Sequence, residues 1–372
     1  MDRQASINMN SNVNEIKTIN TDSGNSRVGQ FSYMRIIACF AIVILHELFA
    51  STTPQYFGGV MSEGDKMFEA IAQHMLMWAV PVFLMVTGAL QLNPDRKLTK
   101  GKLFKKYIRR VALALAVFTL IFTILDWAFD AGYDESLPLV LVWLKKLFLG
   151  QSWAHMWYIY LLIGIYLLLP FFKAGWNHLS ESGKKYLIVV LLIFNSAVGM
   201  INNVLPYIGE SYAGGIAFGI HIATIYPVYL FLGDWLLRHR MKLGTAIILT
   251  AVCSAVLIIC AIVQRSVDPI TSGMLDCIHQ YNSLFVAGQA AGAFAIMMYI
   301  KAPAGRFIRI VDDCTFGIYI IHMIGIHMVM KWMGWNPYMY GPFAFLILAV
   351  LLFAASFVLT WLIRKIPRIG LL

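Results

Sequence analysis

The sequence predicts an all-α fold: a polytopic integral membrane bundle of about ten transmembrane helices, with both the N- and C-termini cytoplasmic. Three observations predict it. Of 372 residues, 59% are apolar and only 13% charged, with a mean hydropathy of +0.71; a soluble domain carries roughly 45–50% apolar and about 25% charged residues. Ten apolar runs approach the roughly 20 residues needed to cross the hydrocarbon core. The Lys and Arg residues collect in alternate connections between those runs, as the positive-inside rule requires.

In chain order, residues 1–30 are rich in Asn, Ser and charge. They hold too little apolar surface to fold and are expected to form a disordered cytoplasmic tail, ahead of one membrane domain over 31–366. The expected spans are 32–50, 69–91, 107–129, 152–173, 186–206, 216–237, 244–264, 281–300, 313–333 and 341–363. The short segment 137–149 carries Lys145 and Lys146 and reads as an interfacial helix. The first run is expected to be a retained helix, because its flank Ser51-Thr52-Thr53-Pro54 does not resemble a cleavage site. With the N-terminus inside, 24 of the 29 Lys and Arg residues fall on the cytoplasmic side and 5 outside. Losing one span would scramble that alternation. Gly215/Gly219 and Gly288/Gly292 are small-xxx-small pairs that suit close helix packing.

The net charge of +10 sits in the connections, so it marks topology; no nucleic-acid partner is expected. Five cysteines without a CxxC pair give no expectation of a disulfide framework or a metal site. There is no Walker motif, no nucleophile elbow and no HExxH, because position 50, four after His46, is Ala.

Ionisable residues inside a span are costly and mark candidate sites. Arg35 and His46 are 11 residues apart. At about 100° per residue they share one helix face, and at about 1.5 Å per residue they stand roughly 16 Å apart along the axis. Arg35 lies near the cytoplasmic surface and His46 deeper. Glu47 points about 100° away, which suits acceptor binding or charge balance better than a dyad with His46. Tyr319 and His322 share a face at i,i+3. His155, Trp157 and Tyr158 open the fourth span at its outer end, where an interfacial aromatic belt is the plainer account. Asp234 is placed to pair with Arg238. Eight cations lie between Arg96 and Arg110, and they suit anionic lipid or a phosphate-rich ligand equally. These residues alone leave an enzyme, an exporter of a polysaccharide or lipid-linked precursor, and a membrane sensor open.

The Arg35-x10-His46 span resembles the signature of acyltransferase family 3, membrane proteins that include surface-polysaccharide O-acetyltransferases. Four further blocks are similar to the family's, in order: Val80-Pro81-Val82-Phe83-Leu84-Met85-Val86-Thr87-Gly88; Phe104-Lys105-Lys106-Tyr107-Ile108-Arg109-Arg110; His155-Met156-Trp157-Tyr158 through Tyr166 to Pro170; and Thr315-Phe316-Gly317-Ile318-Tyr319-Ile320-Ile321-His322. Tyr107 stands where the family has an arginine, and Thr87 where it has a serine.

The resemblance implies transfer of an acyl group, usually acetyl, from cytosolic acyl-CoA to a hydroxyl of an extracytoplasmic or lipid-linked glycan, by a multi-pass protein of the cell membrane. No tightly bound cofactor is implied; acetyl-CoA is the donor substrate, and the bilayer and the glycan acceptor are the partners. Arg35, Lys106, Arg109 and Arg110, with Thr87, are implied to hold the donor. His46 is implied as general base or acyl carrier, with Arg35 and Glu47 in the catalytic set. Tyr319 and His322 are implied to stabilise an oxyanion or position the reactants. His155, Trp157 and Tyr158 are implied to meet the acceptor. The acceptor's identity, acetyl against succinyl, and the oligomeric state are not legible.

Overall fold

A computed structural model describes residues 29–53, 62–130, 137–205, 225–341, 343–366 and 372. Residues 1–28 of the expected tail, Gly215/Gly219 and residues 216–224 of the 216–237 span lie outside the described residues; the last two tail positions, Gly29 and Gln30, are helical and begin the first span. All regular structure among the described residues is helical. In chain order the main helices are α1 (Gly29–Thr52), α2 (Glu63–Met75), α3 (Ala79–Gln91), α4 (Arg109–Phe129), α5 (Leu139–Phe148), α6 (Trp157–His178) and α7 (Glu181–Leu192). They continue with α8 (Val198–Val204), α9 (Tyr226–Arg238), α10 (Leu243–Gln264), α11 (Pro269–His279), α12 (Leu284–Met297), α13 (Arg306–Ile326) and α14 (Ala344–Lys365).

Eight helical stretches among the described residues are long and apolar enough to cross a membrane: Gly29–Thr52, Glu63–Gln91, Lys100–Phe129, Ala154–His178, Glu181–Val204, Leu243–Gln264, Arg306–Trp332 and Ala344–Lys365. The chain is thus a multi-pass membrane protein. The expected 281–300 span is a helix of only 14 residues, α12, which at about 1.5 Å per residue covers roughly 21 Å of a core about 30 Å thick. Its sides are buried against other helices. The segment 137–149 forms the separate helix α5, as its length suggests.

Polar residues start several helices where they can satisfy the first backbone N–H groups. Ser62 accepts from Asp65 N, Ser180 from Gly183 N, Asp268 from Ile270 N and Thr271 N, and Ser283 from Phe285 N. Close backbone approach then sets the packing. A Cβ on Gly88 would strike the Leu230 backbone, and one on Gly233 would strike the Met85 backbone, so α3 and α9 cross where both lack side chains. Gly288 and Gly292 meet Cys253 and Thr250 of α10, as the small-xxx-small pattern predicts. Arg238 Nε donates to Asp234 Oδ2 at 2.8 Å, the expected pair, and Trp176 Nε1 donates to the same oxygen at 2.7 Å.

α1 and α13 form the centre of the bundle and run in parallel. Arg35 meets Asp312, the Cys39 thiol meets the Thr315 carbonyl, and His46 meets His322. The residue offset stays at 276 or 277 along the pair, so the two chains rise together.

Candidate active site

The site is built from the inner turns of α1 and α13 and the start of α6. His46 Nδ1 lies 2.8 Å from His322 Nε2, with the rings stacked at 5.0 Å and 13°. His322 Nδ1 lies 3.0 Å from the Ile318 carbonyl. A carbonyl only accepts, so Nδ1 of His322 carries the proton and its Nε2 is an acceptor. His46 Nδ1 therefore donates, and His46 Nε2 is left with an unshared electron pair. A chain of two imidazoles anchored on a backbone carbonyl thus sets the tautomer and the direction of the outer ring.

His155 joins the cluster, with its ring 6.1 Å from His46 and 5.8 Å from His322. Its Nε2 faces the Ile320 carbonyl at 3.2 Å and donates to it. Nδ1 is then a second bare acceptor, buried and without a hydrogen-bond partner. Tyr319 donates its O–H to the His155 carbonyl at 2.5 Å. That hydroxyl is spent on holding His155, and both His322 nitrogens are bonded. Neither residue has a donor left for an oxyanion, so the structure makes them positioning groups. Tyr158 is buried with its ring 5.4 Å from Tyr319. Trp157 turns to another side, against Tyr226 and Tyr281.

Two carboxylates brace the segment that presents His155. Asp126 accepts from Lys146 Nζ at 2.5 Å and from Trp153 Nε1 at 2.9 Å. Trp153 stacks between Phe122 at 4.1 Å and His327 at 3.7 Å. At the end of α4, Asp130 accepts from Lys331 at 2.6 Å and Trp332 at 3.0 Å. Partial burial pushes the Asp130 carboxyl up, but the hydrogen bonds and charge of that pair outweigh it and hold it below its usual value.

Three turns from His46 along α1, Arg35 makes a two-pronged bond to Asp312, Nε to Oδ1 at 2.6 Å and Nη2 to Oδ2 at 2.7 Å. Ser32 adds a third donor to Asp312 at 2.7 Å. The guanidinium is thus paired with a carboxylate that the sequence reading passed over. The available signal was an Asp-Asp step, 312–313, at the head of an apolar run. Arg35 and His46 both turn onto α13, not toward lipid, as the shared face predicts.

The basic stretch divides by direction. A π-turn, Leu103–Ile108, leads into α4. Lys106 and Arg109 are exposed, whereas Tyr107 and Arg110 are half-buried. The Arg110 guanidinium lies 5.0 Å over the Phe316 ring of α13. Arg96 donates to the Tyr107 hydroxyl at 3.0 Å, and Tyr107 lies 5.6 Å from Tyr166 of α6. Lys173 binds the Gln91, Asn93 and Arg96 carbonyls at 3.2, 2.5 and 2.5 Å, which fixes the loop carrying Arg96. Where a Tyr replaces the expected cation at 107, Arg96 brings a guanidinium to the same spot. Thr87 bonds back to the Phe83 carbonyl at 2.9 Å within its own helix. Glu47 is fully buried and its carboxyl makes no hydrogen bond to His46, in keeping with its different helical phase. No cluster of three metal-ligating side chains occurs among the described residues.

A family model described as an acyltransferase domain matches residues 28–365. No curated protein and no solved structure matches the chain.

Proposed function

Because the chain belongs to acyltransferase family 3 over nearly its whole length, and so transfers acyl groups, we propose that it moves an acetyl group from cytosolic acyl-CoA to a hydroxyl of an extracytoplasmic or lipid-linked glycan. The observation that carries the mechanism is the His46–His322 pair, which leaves His46 Nε2 unprotonated and directed by a fixed partner. A neutral imidazole with one unprotonated ring nitrogen can take a hydroxyl proton as general base. In the proposed step, the acceptor O–H gives its proton to His46 Nε2 as its oxygen attacks the thioester carbonyl carbon. The tetrahedral intermediate then collapses, the C–S bond breaks, and the departing sulfur takes the proton back from His46. His322 holds the ring in register, and the bare Nδ1 of His155 accepts a second hydrogen bond from the reactants. Holding the reacting groups in a near-attack geometry lowers the entropic part of the barrier.

The donor's phosphates are assigned to the basic mouth, with Arg96 and Arg110 facing inward and Lys106 and Arg109 at its rim. Arg35 contributes its remaining Nη1, since its other donors hold Asp312. The pantetheine arm follows the inner face of α6 from Tyr166 to Tyr158, eight residues or about 12 Å. This reading puts the N-terminus of α1 on the cytoplasmic side, in keeping with the Lys/Arg distribution. The test is His46→Ala at matched expression in membranes, assayed for acyl-CoA-dependent thiol release and for acyl groups on surface glycans by mass spectrometry. Transfer is expected to fall at least 100-fold; unchanged transfer would refute the assignment.

A further inference from the structure

One group of buried polar atoms is not used by the chemistry above. Glu47 is 0% exposed, and neither of its carboxyl oxygens has a hydrogen-bond partner. Tyr338, 6% exposed, also has a hydroxyl without a partner. Leu48, next to Glu47 on α1, packs in one cluster with Tyr338 and Phe345, and Phe68, next to the buried Glu69 on α2, packs against the same cluster. Ser51, one turn beyond Glu47 on α1, adjoins Tyr338 and donates its own hydroxyl to the Leu48 carbonyl at 2.7 Å. Leaving buried polar atoms unbonded costs about 1–3 kcal/mol for each group, so such a concentration calls for an explanation.

The short helical turn Pro337–Tyr340 carries Tyr338 over this group. It is bracketed by Gly334 and Gly341, at φ 66° and 89°, conformations that side chains other than glycine rarely adopt. The Asn336 side chain accepts from Tyr338 N at 2.9 Å and fixes the turn. Tyr338 packs on Phe345, which in turn meets Phe68 of α2. Around the rim, Trp335 and Tyr340 lie 5.5 Å apart, and Tyr340 and Phe343 are among the most exposed aromatic side chains. A membrane-interface belt accounts for exposed aromatics, but not for a buried carboxyl and phenol with nothing to bond.

We propose that Glu47, Tyr338 and Glu69, under the aromatic rim of Trp335, Tyr340 and Phe343, form a saccharide subsite that holds a sugar unit of the acceptor next to the one being acylated. A neutral sugar presents hydroxyls that both donate and accept, which matches a carboxyl and a phenol. Its C–H faces suit aromatic rings. Ser51 stands five residues beyond His46, about 7.5 Å along α1, roughly one sugar unit away from the reacting position. The subsite rests on the acyl-transfer reading for its acceptor, but on its own residues for its existence.

The test uses the full-length protein in nanodiscs and, as probe, oligosaccharides released by mild hydrolysis from cells that produce it. Titration calorimetry should show binding to the wild type, weakened at least 10-fold by Tyr338→Phe and by Glu47→Gln. In the transfer assay the same variants should raise the acceptor KM at least 10-fold and leave the donor KM unchanged. If Glu47→Gln fails to fold, Tyr338→Phe, which removes one oxygen, decides the matter. No glycan binding by the wild type, equal affinity in both variants, or binding of tetramethylammonium in place of glycans would overturn the subsite. Binding here without any acyl transfer would leave the subsite standing and sink the acyl-transfer reading instead.

Discussion

Asp312→Asn changes one atom of a side chain and tests the central helix pair directly. Asp312 accepts two bonds from Arg35 and one from Ser32, at 2.6, 2.7 and 2.7 Å. Hydrogen bonds to charged groups contribute about 1.5–3 kcal/mol each, so losing the two-pronged pair removes roughly 3–6 kcal/mol gross. The Arg35 side chain keeps 17% of its surface exposed, which lets water recover part of this. The expected loss is about 3 kcal/mol, in the range found for buried pairs that lose one partner. The double variant Arg35→Met/Asp312→Leu replaces the pair by packed apolar groups and should lie within about 1 kcal/mol of the wild type. The assay is reversible unfolding in mixed detergent–SDS, run as a double-mutant cycle. A coupling energy below about 1 kcal/mol would refute the claim that this pair locks α1 to α13. Because Asp312 also aims Arg35 Nη1, Asp312→Asn should raise the acyl-CoA KM about 10-fold with a smaller change in kcat.

Three further outcomes are expected. His322→Phe removes the acceptor of His46 Nδ1–H and should lower kcat about 100-fold or more with little change in either KM, read by steady-state kinetics. Gly233→Val places a side chain where α9 touches the Met85 backbone and should cost at least about 3 kcal/mol, seen as lost thermal stability and yield. In α11, burial and then the neighbouring His74 lower the His279 pKa from 6.5 to about 4. Folding keeps this ring neutral, so the unfolded chain takes up its proton first. Stability should be flat above about pH 6.5, should fall as pH drops toward about 4, and should then level off. The shift is worth at most about 3 kcal/mol, and about 1–2 after solvent screening of a partly open ring. His279→Leu should flatten that slope in thermal melts.

Much of the fold is legible in the sequence because hydropathy is a local property. A run of apolar residues must become a helix in hydrocarbon, whatever its neighbours do. Eight of the expected spans are present as long helices. α12 is shorter than the expected span 281–300 at both ends: Ser283 caps its start, so that the helix begins at Leu284, and it ends at Met297. The shared face of Arg35 and His46 follows from 3.6-residue periodicity alone. Periodicity also separates Glu47 from His46, and the structure shows no hydrogen bond between them.

The partners of those residues were not legible. Asp312 and His322 are nearly as far apart as Arg35 and His46, but only the parallel contact of α1 and α13 sets the two spacings side by side. Nothing local encodes which of many helices will pack there. The inward set of cations also depends on a π-turn, which adds a residue to one turn and rotates everything after it. A straight-helix reading therefore could not sort Tyr107 and Arg110 from Lys106 and Arg109. Composition and periodicity determined the helices, the membrane and the face that carries the histidine. Long-range packing decided the tautomer of that histidine, the neutralised arginine and the buried carboxyl at Glu47, because each depends on atoms brought together from distant parts of the chain.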